Sequence, residues 1–124
     1  MGSVVLDASV VIALLDSSDA SHVDARALLE ERAEDTWLMS TATLAEVLVH
    51  PLRRGTGDDF ERKLARLRVA FVDVDPAIAR RAARLRAEHM SLRVRDALVL
   101  ATAQHRAADT LTFDHALRRI DHRS

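Results

Sequence analysis

Four acidic residues stand among apolar neighbours in this sequence, which is an unusual setting for a carboxylate. They are Asp7 in VVLDAS, Glu46 in LAEVLV, Asp96 in RVRDALVLATA and Asp114 in LTFDHAL. Acidic side chains are rarely buried unless they are paired or hold a metal ion. Carboxylates gathered about 4 Å apart would repel one another by about 4 kcal/mol per pair at an effective dielectric of about 20. A divalent cation is the simplest neutraliser, and oxygen-only ligation favours Mg²⁺ or Mn²⁺ over zinc.

Each of these acids also has a local structural explanation. Asp7 and Asp114 could cap helices that follow them, and Asp96 could favour the positive end of a helix dipole. Glu46 could complete a capping box. No lysine or arginine is expected inside the cluster, because the side chain of Arg95 should point away from its neighbour Asp96 on a helix. Taken together, the four acids therefore favour a metal site.

The acids can meet only if the fold brings distant parts of the chain together. Strand-like apolar runs alternate with helical segments throughout, which predicts an α/β fold, a three-layer α/β/α sandwich with a short, mostly parallel central sheet. In such sheets ligands bind beyond the carboxyl ends of the strands. Asp7 and Asp114 are expected at two such ends, and Glu46 and Asp96 in or near the first turns of helices that begin there. The predicted strands are Val4–Asp7, Thr36–Ser40, Ala70–Asp75 and Thr110–Asp114.

Capping residues and prolines indicate where the helices begin and end. Ser9 is expected to cap a first helix over Val10–Leu15. The helix that contains Glu46 is expected to end near Pro51 or soon after. Asp58 or Asp59 is expected to cap the helix that follows.

Length and composition fit one domain, residues 1–124, with one core. Aromatic residues make up only 3% of the chain, so Ala, Val and Leu must fill that core. The net charge of −1 argues against a globally basic nucleic-acid binder, although a local basic patch is compatible with it. Lysine occurs once, as Lys63, beside 17 arginines, so any phosphate contacts would be made by guanidinium groups.

The absence of cysteine and of long apolar runs indicates a cytoplasmic protein. Without cysteine the chain can form neither disulfides nor thiolate metal sites. No apolar stretch reaches the roughly 18 residues of a membrane span. The apolar run Val4–Leu15 contains Asp7 and follows no basic segment, so it does not resemble a signal peptide.

Four stretches of the sequence resemble the motifs of the PIN domain family, and within it those of VapC-type ribonuclease toxins. They occur in the family's order and spread from Val4 to about Leu117. One departure is Arg95, where many relatives carry proline before the helix aspartate. This departure should alter the approach to the site and not the ligand itself. The matching stretches are VVLDASVVIALL, STATLAEVLVHPLRR, RVRDALVLATAQHRA and LTFDHAL.

The resemblance implies metal-dependent RNA hydrolysis, with the four acids as catalytic and metal-binding residues and Mg²⁺ or Mn²⁺ as the cofactor. Asp7 and Asp96 would be direct ligands. Glu46 would bind the ion directly or through water, or would orient the attacking water, and Asp114 would serve a second ion or an outer water. An in-line displacement by metal-activated water would leave a 5′-phosphate and a 3′-hydroxyl.

The resemblance also extends to residues beside the acids. Ser9 and Thr112 match small hydroxyl positions next to the family's metal site and would orient carboxylates or water. A phosphate backbone needs positive charge near an acidic pocket, although for each arginine taken alone a solvated side chain is the favoured explanation. The candidate RNA-binding arginines are Arg53, Arg54, Arg93, Arg95, Arg118 and Arg119.

The family likeness implies partners as well as an activity. A VapC-like toxin would cut RNA and would be held silent by a VapB-like antitoxin that lays an apolar helix in a groove. The family tends to form homodimers through its helices, for which LLEERAEDTWLM and ARRAARLRA offer two possible faces. No membrane partner is expected.

Other functions stay open at this point. Within the family, the chain could be an RNA-processing nuclease outside a toxin system or a catalytically silent PIN-like binding module. A phosphatase of the haloacid dehalogenase type would need a second acid where Ser9 stands and a well-placed lysine, which Lys63 is not. A receiver-type signalling domain would need paired acids after the first strand and a late-strand lysine, and the sequence has neither.

Overall fold

The computed structural model describes residues 2–123, with side chains described as far as Asp121, and a four-stranded sheet lies at its centre. All strand pairs are parallel, and their order across the sheet is β3-β2-β1-β4. The strands are β1 (Ser3–Leu6), β2 (Thr36–Ser40), β3 (Ala70–Val72) and β4 (Asp109–Leu111). The helices within these residues are α1 (Ala8–Leu15), α2 (His22–Glu31), α3 (Thr41–Arg53), α4 (Gly57–Arg66), α5 (Pro76–Glu88), α6 (Val94–His105) and α7 (His115–Arg123).

The two faces of the sheet are covered by different sets of helices. Successive side chains of a strand point to opposite faces. Val4 and Leu6 of β1 therefore pack with apolar residues of α1, α2, α3 and α4, whereas Val5 packs with those of α5, α6 and α7. This arrangement confirms the predicted three-layer α/β/α sandwich with a parallel central sheet.

The strands follow the sequence prediction closely, but β1, β3 and β4 end one to three residues earlier than predicted, and β1 and β4 also begin one residue earlier. The bounds of β2 agree with the prediction, Thr36–Ser40. The strand β3 stops at Val72 because Asp75 caps α5, accepting a hydrogen bond from the Ile78 N–H at 2.9 Å, and Pro76 opens that helix. The strand β4 stops at Leu111, so that the chain turns toward α7 just beyond it.

Two predicted caps are wrong. Asp7 and not Ser9 is the N-cap of α1, because the Asp7 side chain accepts from the Val10 N–H and leaves Ser9 in the first helical turn. Neither Asp58 nor Asp59 caps α4, which begins at Gly57 with both acids in its first turn. Acids in a first turn still interact favourably with the helix dipole.

The helix α3 continues two residues beyond Pro51 and ends at Arg53. Gly55 lies two residues beyond this end, and its φ of +76° is in the left-handed region that glycine adopts without strain. Within residues 2–123, none of the helices combines the length and the apolar character needed to cross a bilayer.

Candidate active site

The order of the strands creates a crevice beside β1. From β1 the chain moves to β2 and β3 on one side, and it then crosses to β4 on the other side of β1. At such a switch point the segments that leave the two neighbouring strands diverge, and ligands bind between them beyond the carboxyl ends. Asp7 follows β1 directly, and Thr112 and Asp114 follow β4 within three residues. Three of the expected site residues therefore lie at this crevice.

Asp7 is buried, with 7% of its surface exposed, and polar groups hold its carboxylate on both sides. Its Oδ1 accepts from the Ser9 hydroxyl at 2.7 Å and from the Val10 N–H at 3.1 Å. Its Oδ2 accepts from the Thr112 hydroxyl. A carboxylate has about four lone-pair positions, and these contacts occupy three of them. The carboxylate is thus fixed in orientation and can still accept one more ligand.

Thr112 joins the ends of the two strands. Its buried hydroxyl donates to Asp7 and accepts from the Asp114 N–H at 3.0 Å, while its carbonyl accepts from the Arg118 Nε at 2.8 Å. Asp114 caps α7, because its Oδ1 accepts from the N–H groups of Ala116 at 2.8 Å and of the next residue at 3.2 Å. Asp7 and Asp114 therefore belong to one hydrogen-bonded group.

Replacing Thr112 with valine is expected to destabilise the fold. The change keeps the shape of the side chain but leaves the Asp7 Oδ2 without a donor and the Asp114 N–H without an acceptor. Each unsatisfied buried group costs about 1–3 kcal/mol, so for the two groups we expect a total loss of about 2–6 kcal/mol in the free energy of unfolding. Urea denaturation of Thr112→Val measures this loss, and Thr112→Ser, which keeps the hydroxyl, should lose less than half as much. Equal losses in the two variants would contradict the role given to the hydroxyl.

Glu46 and Asp96 lie on two helices that pack against each other, α3 and α6. Asp96 is the third residue of α6, as expected for a first turn. Glu46 is the sixth residue of α3, because that helix already begins at Thr41 with Ser40 as its cap. Glu46 therefore lies just past the first turn, which agrees with the expected position in or near it, and a capping box cannot explain this residue.

Arginines neutralise both of these acids, which contradicts the expectation that no arginine enters the cluster. The Arg95 Nη1 lies 3.2 Å from the Glu46 Oε2, so this ion pair bridges α6 and α3. The Arg93 Nε lies 2.9 Å from the Asp96 Oδ2, one helical turn away. Arg95 does point away from Asp96, as expected, but it points toward another member of the cluster. The spacing of three residues could have indicated the Arg93–Asp96 pair.

The donor atoms fit a hard divalent cation in type. All four acids offer only oxygen, which is the ligand that Mg²⁺ and Mn²⁺ prefer. In the arrangement described for residues 2–123, no three acidic or histidine side chains are grouped so that they could hold a metal ion. Glu46 and Asp96 are instead engaged by arginines, and Asp114 by the start of α7.

The remaining arginine candidates differ in exposure. Arg53 and Arg54 are exposed at the end of α3, and Arg119 is exposed on α7. Arg118 is half-buried, and its contact with the Thr112 carbonyl places it beside the crevice.

Comparisons with known proteins agree with the acidic motifs. The PIN domain family matches residues 4–123 of the chain. The fold is similar to that of the VapC20 toxin of Mycobacterium tuberculosis, described as cleaving the sarcin-ricin loop, with 19% identity, a TM-score of 0.76 and 94% of each chain covered. No curated protein matches the chain in sequence.

Two further solved structures have a similar fold. The VapBC2 complex of Rickettsia felis, bound to a DNA fragment from its promoter, has 18% identity, a TM-score of 0.74 and coverage of 95% of this chain and 92% of that chain. A toxin–antitoxin complex from Klebsiella pneumoniae has 26% identity, a TM-score of 0.73 and coverage of 90% and 86%. The family match spans nearly the whole chain, and the neighbours share its fold over almost their whole length. The chain therefore belongs to the PIN domain family, as its four acidic motifs predicted.

Proposed function

We propose that this chain is a divalent-metal-dependent endoribonuclease that acts as the toxin of a toxin–antitoxin pair. The observation that carries the proposal is the buried Asp7 carboxylate, fixed between two hydroxyls at the switch point of a PIN domain. PIN domain proteins are nucleases, and the VapC20 toxin, which shares this fold, is described as cleaving the sarcin-ricin loop.

The acids have distinct roles in this proposal. Asp7 and Asp96 are direct ligands of Mg²⁺ or Mn²⁺, Glu46 binds the ion or orients the attacking water, and Asp114 serves a second ion or an outer water. A bound divalent ion supplies a water nucleophile at neutral pH and neutralises charge on the phosphate oxygens. Thr112 and Ser9 hold the Asp7 carboxylate in one orientation, which keeps the ligand preorganised.

Arginine side chains bind the RNA backbone. Arg53 and Arg54 are exposed at the end of the helix that carries Glu46, and Arg118 lies beside Thr112. Guanidinium groups suit this task because their planar N–H groups can bind a phosphate through two parallel hydrogen bonds. The net charge of −1 means that attraction to RNA depends on such local groups.

The partner of the proposed toxin is a VapB-like antitoxin, and the active form is a homodimer. Two of the structures that share this fold support the partner, because their descriptions are of VapBC2 and of a toxin–antitoxin complex. A PIN nuclease that processes RNA outside a toxin system would share the active site but not the antitoxin.

One observation favours the catalytically silent alternative. Arg93 and Arg95 engage two of the four acids, so these two carboxylates are neutralised without a metal ion. A protein that used these ion pairs only for stability would bind a partner and cut no RNA. Measuring cleavage separates the two functions.

The deciding experiment is to incubate the purified chain with total RNA and to map the ends of the fragments. With Mg²⁺ or Mn²⁺ we expect fragments that carry 5′-phosphates and 3′-hydroxyls, and with excess EDTA we expect the RNA to remain intact. Restoring the metal ion to the EDTA-treated sample should restore cleavage. Cleavage that survives EDTA would contradict the metal-dependent mechanism, and intact RNA with both ions would favour the silent binding module.

A further inference from the structure

We propose that Arg95, assisted by Arg93, is a built-in counterion that competes with the divalent ion for the acids of the site. The arginines hold Glu46 and Asp96 while the ion is absent, and they leave these carboxylates when it binds. Competition of this kind sets the ion concentration at which the nuclease becomes active. The inference rests on the proposed metal-dependent function and adds a regulatory step to it.

The exposure of the paired side chains shows which partner can move. The Arg95 side chain is 50% exposed, whereas that of Glu46 is 31% exposed. The difference is larger for the second pair, with 58% for Arg93 and 17% for Asp96. Each guanidinium can turn into solvent at little cost, while the less exposed carboxylates keep their places on α3 and α6. The cations are therefore the exchangeable partners.

The position of the arginines on α6 gives a second argument. Arg93 is the N-cap of this helix, and Arg95 lies in its first turn. The amino end of a helix carries partial positive charge, so cations there are disfavoured unless a carboxylate holds them. When a divalent ion takes Glu46 and Asp96, the helix dipole and the ion both repel the two guanidinium groups. The released groups are then free to contact phosphate.

An ordinary surface ion pair on another helix offers a comparison for the ion pairs of Arg95 and Arg93. Arg62 and Asp59 form an i,i+3 pair on α4 at 3.8 Å, with side chains 67% and 56% exposed. That pair lies on one helix and involves none of the four acids. Arg62→Gln is therefore a matched control, because it removes one arginine from one ion pair without touching the proposed ligands.

The test measures binding of Mn²⁺ alone, followed by the loss of the electron paramagnetic resonance signal of the free ion. Exposed ion pairs contribute up to about 1 kcal/mol, which corresponds to about fivefold in affinity. We therefore expect Arg95→Gln to bind Mn²⁺ about twofold to fivefold more tightly than the native chain. Arg95→Lys, which keeps the charge, should bind close to native, and Arg62→Gln should show no change. Arg93→Gln should shift in the same direction as Arg95→Gln.

Thermal unfolding supplies a readout that a purely structural role would not give. In EDTA, Arg95→Gln should melt at or below the native temperature, because Glu46 has lost its partner. Added Mn²⁺ should raise its melting temperature by more than it raises that of the native chain, since tighter binding stabilises the folded state further. Loss of stability together with gain of ion affinity is the signature of competition.

The outcomes distinguish this inference from the proposed function. Unchanged or weaker Mn²⁺ binding by Arg95→Gln would overturn the inference. The proposed function would still stand in that case, provided that the native chain binds Mn²⁺ and cuts RNA. Equal tightening in Arg62→Gln would also overturn it, because the effect would then be one of net charge. A native chain that binds no Mn²⁺ and cuts no RNA would overturn both.

Discussion

Asp7→Asn is expected to lose RNA cleavage almost completely while keeping the native fold. Asparagine has the same shape, and its carbonyl oxygen can still accept from the Ser9 hydroxyl and the Val10 N–H. Its amide can donate to the Thr112 hydroxyl, so that the buried contact reverses its direction and is not lost. What the variant lacks is the negative charge of a direct metal ligand.

The expected loss of cleavage is at least about 100-fold. Changes to residues that only support a metal ligand already cost about 10- to 100-fold in metal affinity or activity, and Asp7 is proposed as the ligand itself. Initial rates of RNA cleavage at saturating Mg²⁺, for equal amounts of native and variant protein, measure the loss. Preparing both proteins in the same way also excludes a contaminating ribonuclease, which would cut equally in both samples.

Asp75→Asn is the matched control for this substitution. Asp75 is likewise an N-cap aspartate after a strand, and its side chain accepts from the Ile78 N–H at 2.9 Å. It follows β3, which is separated from β1 by β2. Cleavage by Asp75→Asn should therefore stay close to native. Native-like cleavage by Asp7→Asn would contradict the role of the carboxylate, and equal loss in both variants would indicate a general effect on folding.

The fold was predictable because its central strand β1 is buried on both faces. Short apolar runs such as Val4–Leu6 alternate with amphipathic helices, and this alternation allows few arrangements other than a parallel sheet between helices. The ends of elements were harder to predict, because a single side chain decides them. Asp7 takes the cap of α1 only because the chain turns immediately after β1, and Ser9 alone would have capped equally well.

The candidate site was predictable in composition but not in its contacts. The acids and the two hydroxyls could be named from the sequence, because their types and spacing follow the motifs of the family. The contact of Arg95 with Glu46 joins two helices and depends on how α3 and α6 pack, which no local pattern encodes. Side-chain direction across a packed interface is set by tertiary structure, and the functional roles of these residues stay predictions.

Leu100→Ala is expected to cause a large loss of stability, because Leu100 fills the core beneath α6. Leu100 is fully buried in the cluster that joins α6 to the sheet. Its buried neighbours on this helix include Ala97, Ala101 and Ala103, which are too small to fill the space that the substitution leaves. Removing a buried leucine side chain costs about 2–5 kcal/mol, and poor relaxation favours the upper half of that range. The total stability of a domain of this size is about 5–15 kcal/mol, so the loss is a large part of it.

Urea denaturation should show this loss as a lower midpoint with an unchanged slope, since the surface exposed on unfolding stays nearly the same. Leu52→Ala is the matched control, because Leu52 is 64% exposed at the end of α3 and the same substitution there should change stability by about 0.5 kcal/mol or less. The helix α6 also carries Asp96, so Leu100→Ala tests the packing of the same helix that positions a proposed metal ligand. If Leu100→Ala still cuts RNA at the native rate per folded molecule, packing and chemistry are separable, as expected for a residue that lies in the core. A stability loss equal to that of Leu52→Ala would mean that α6 is not packed against the sheet as described, and the position of Asp96 would then have to be revised with it.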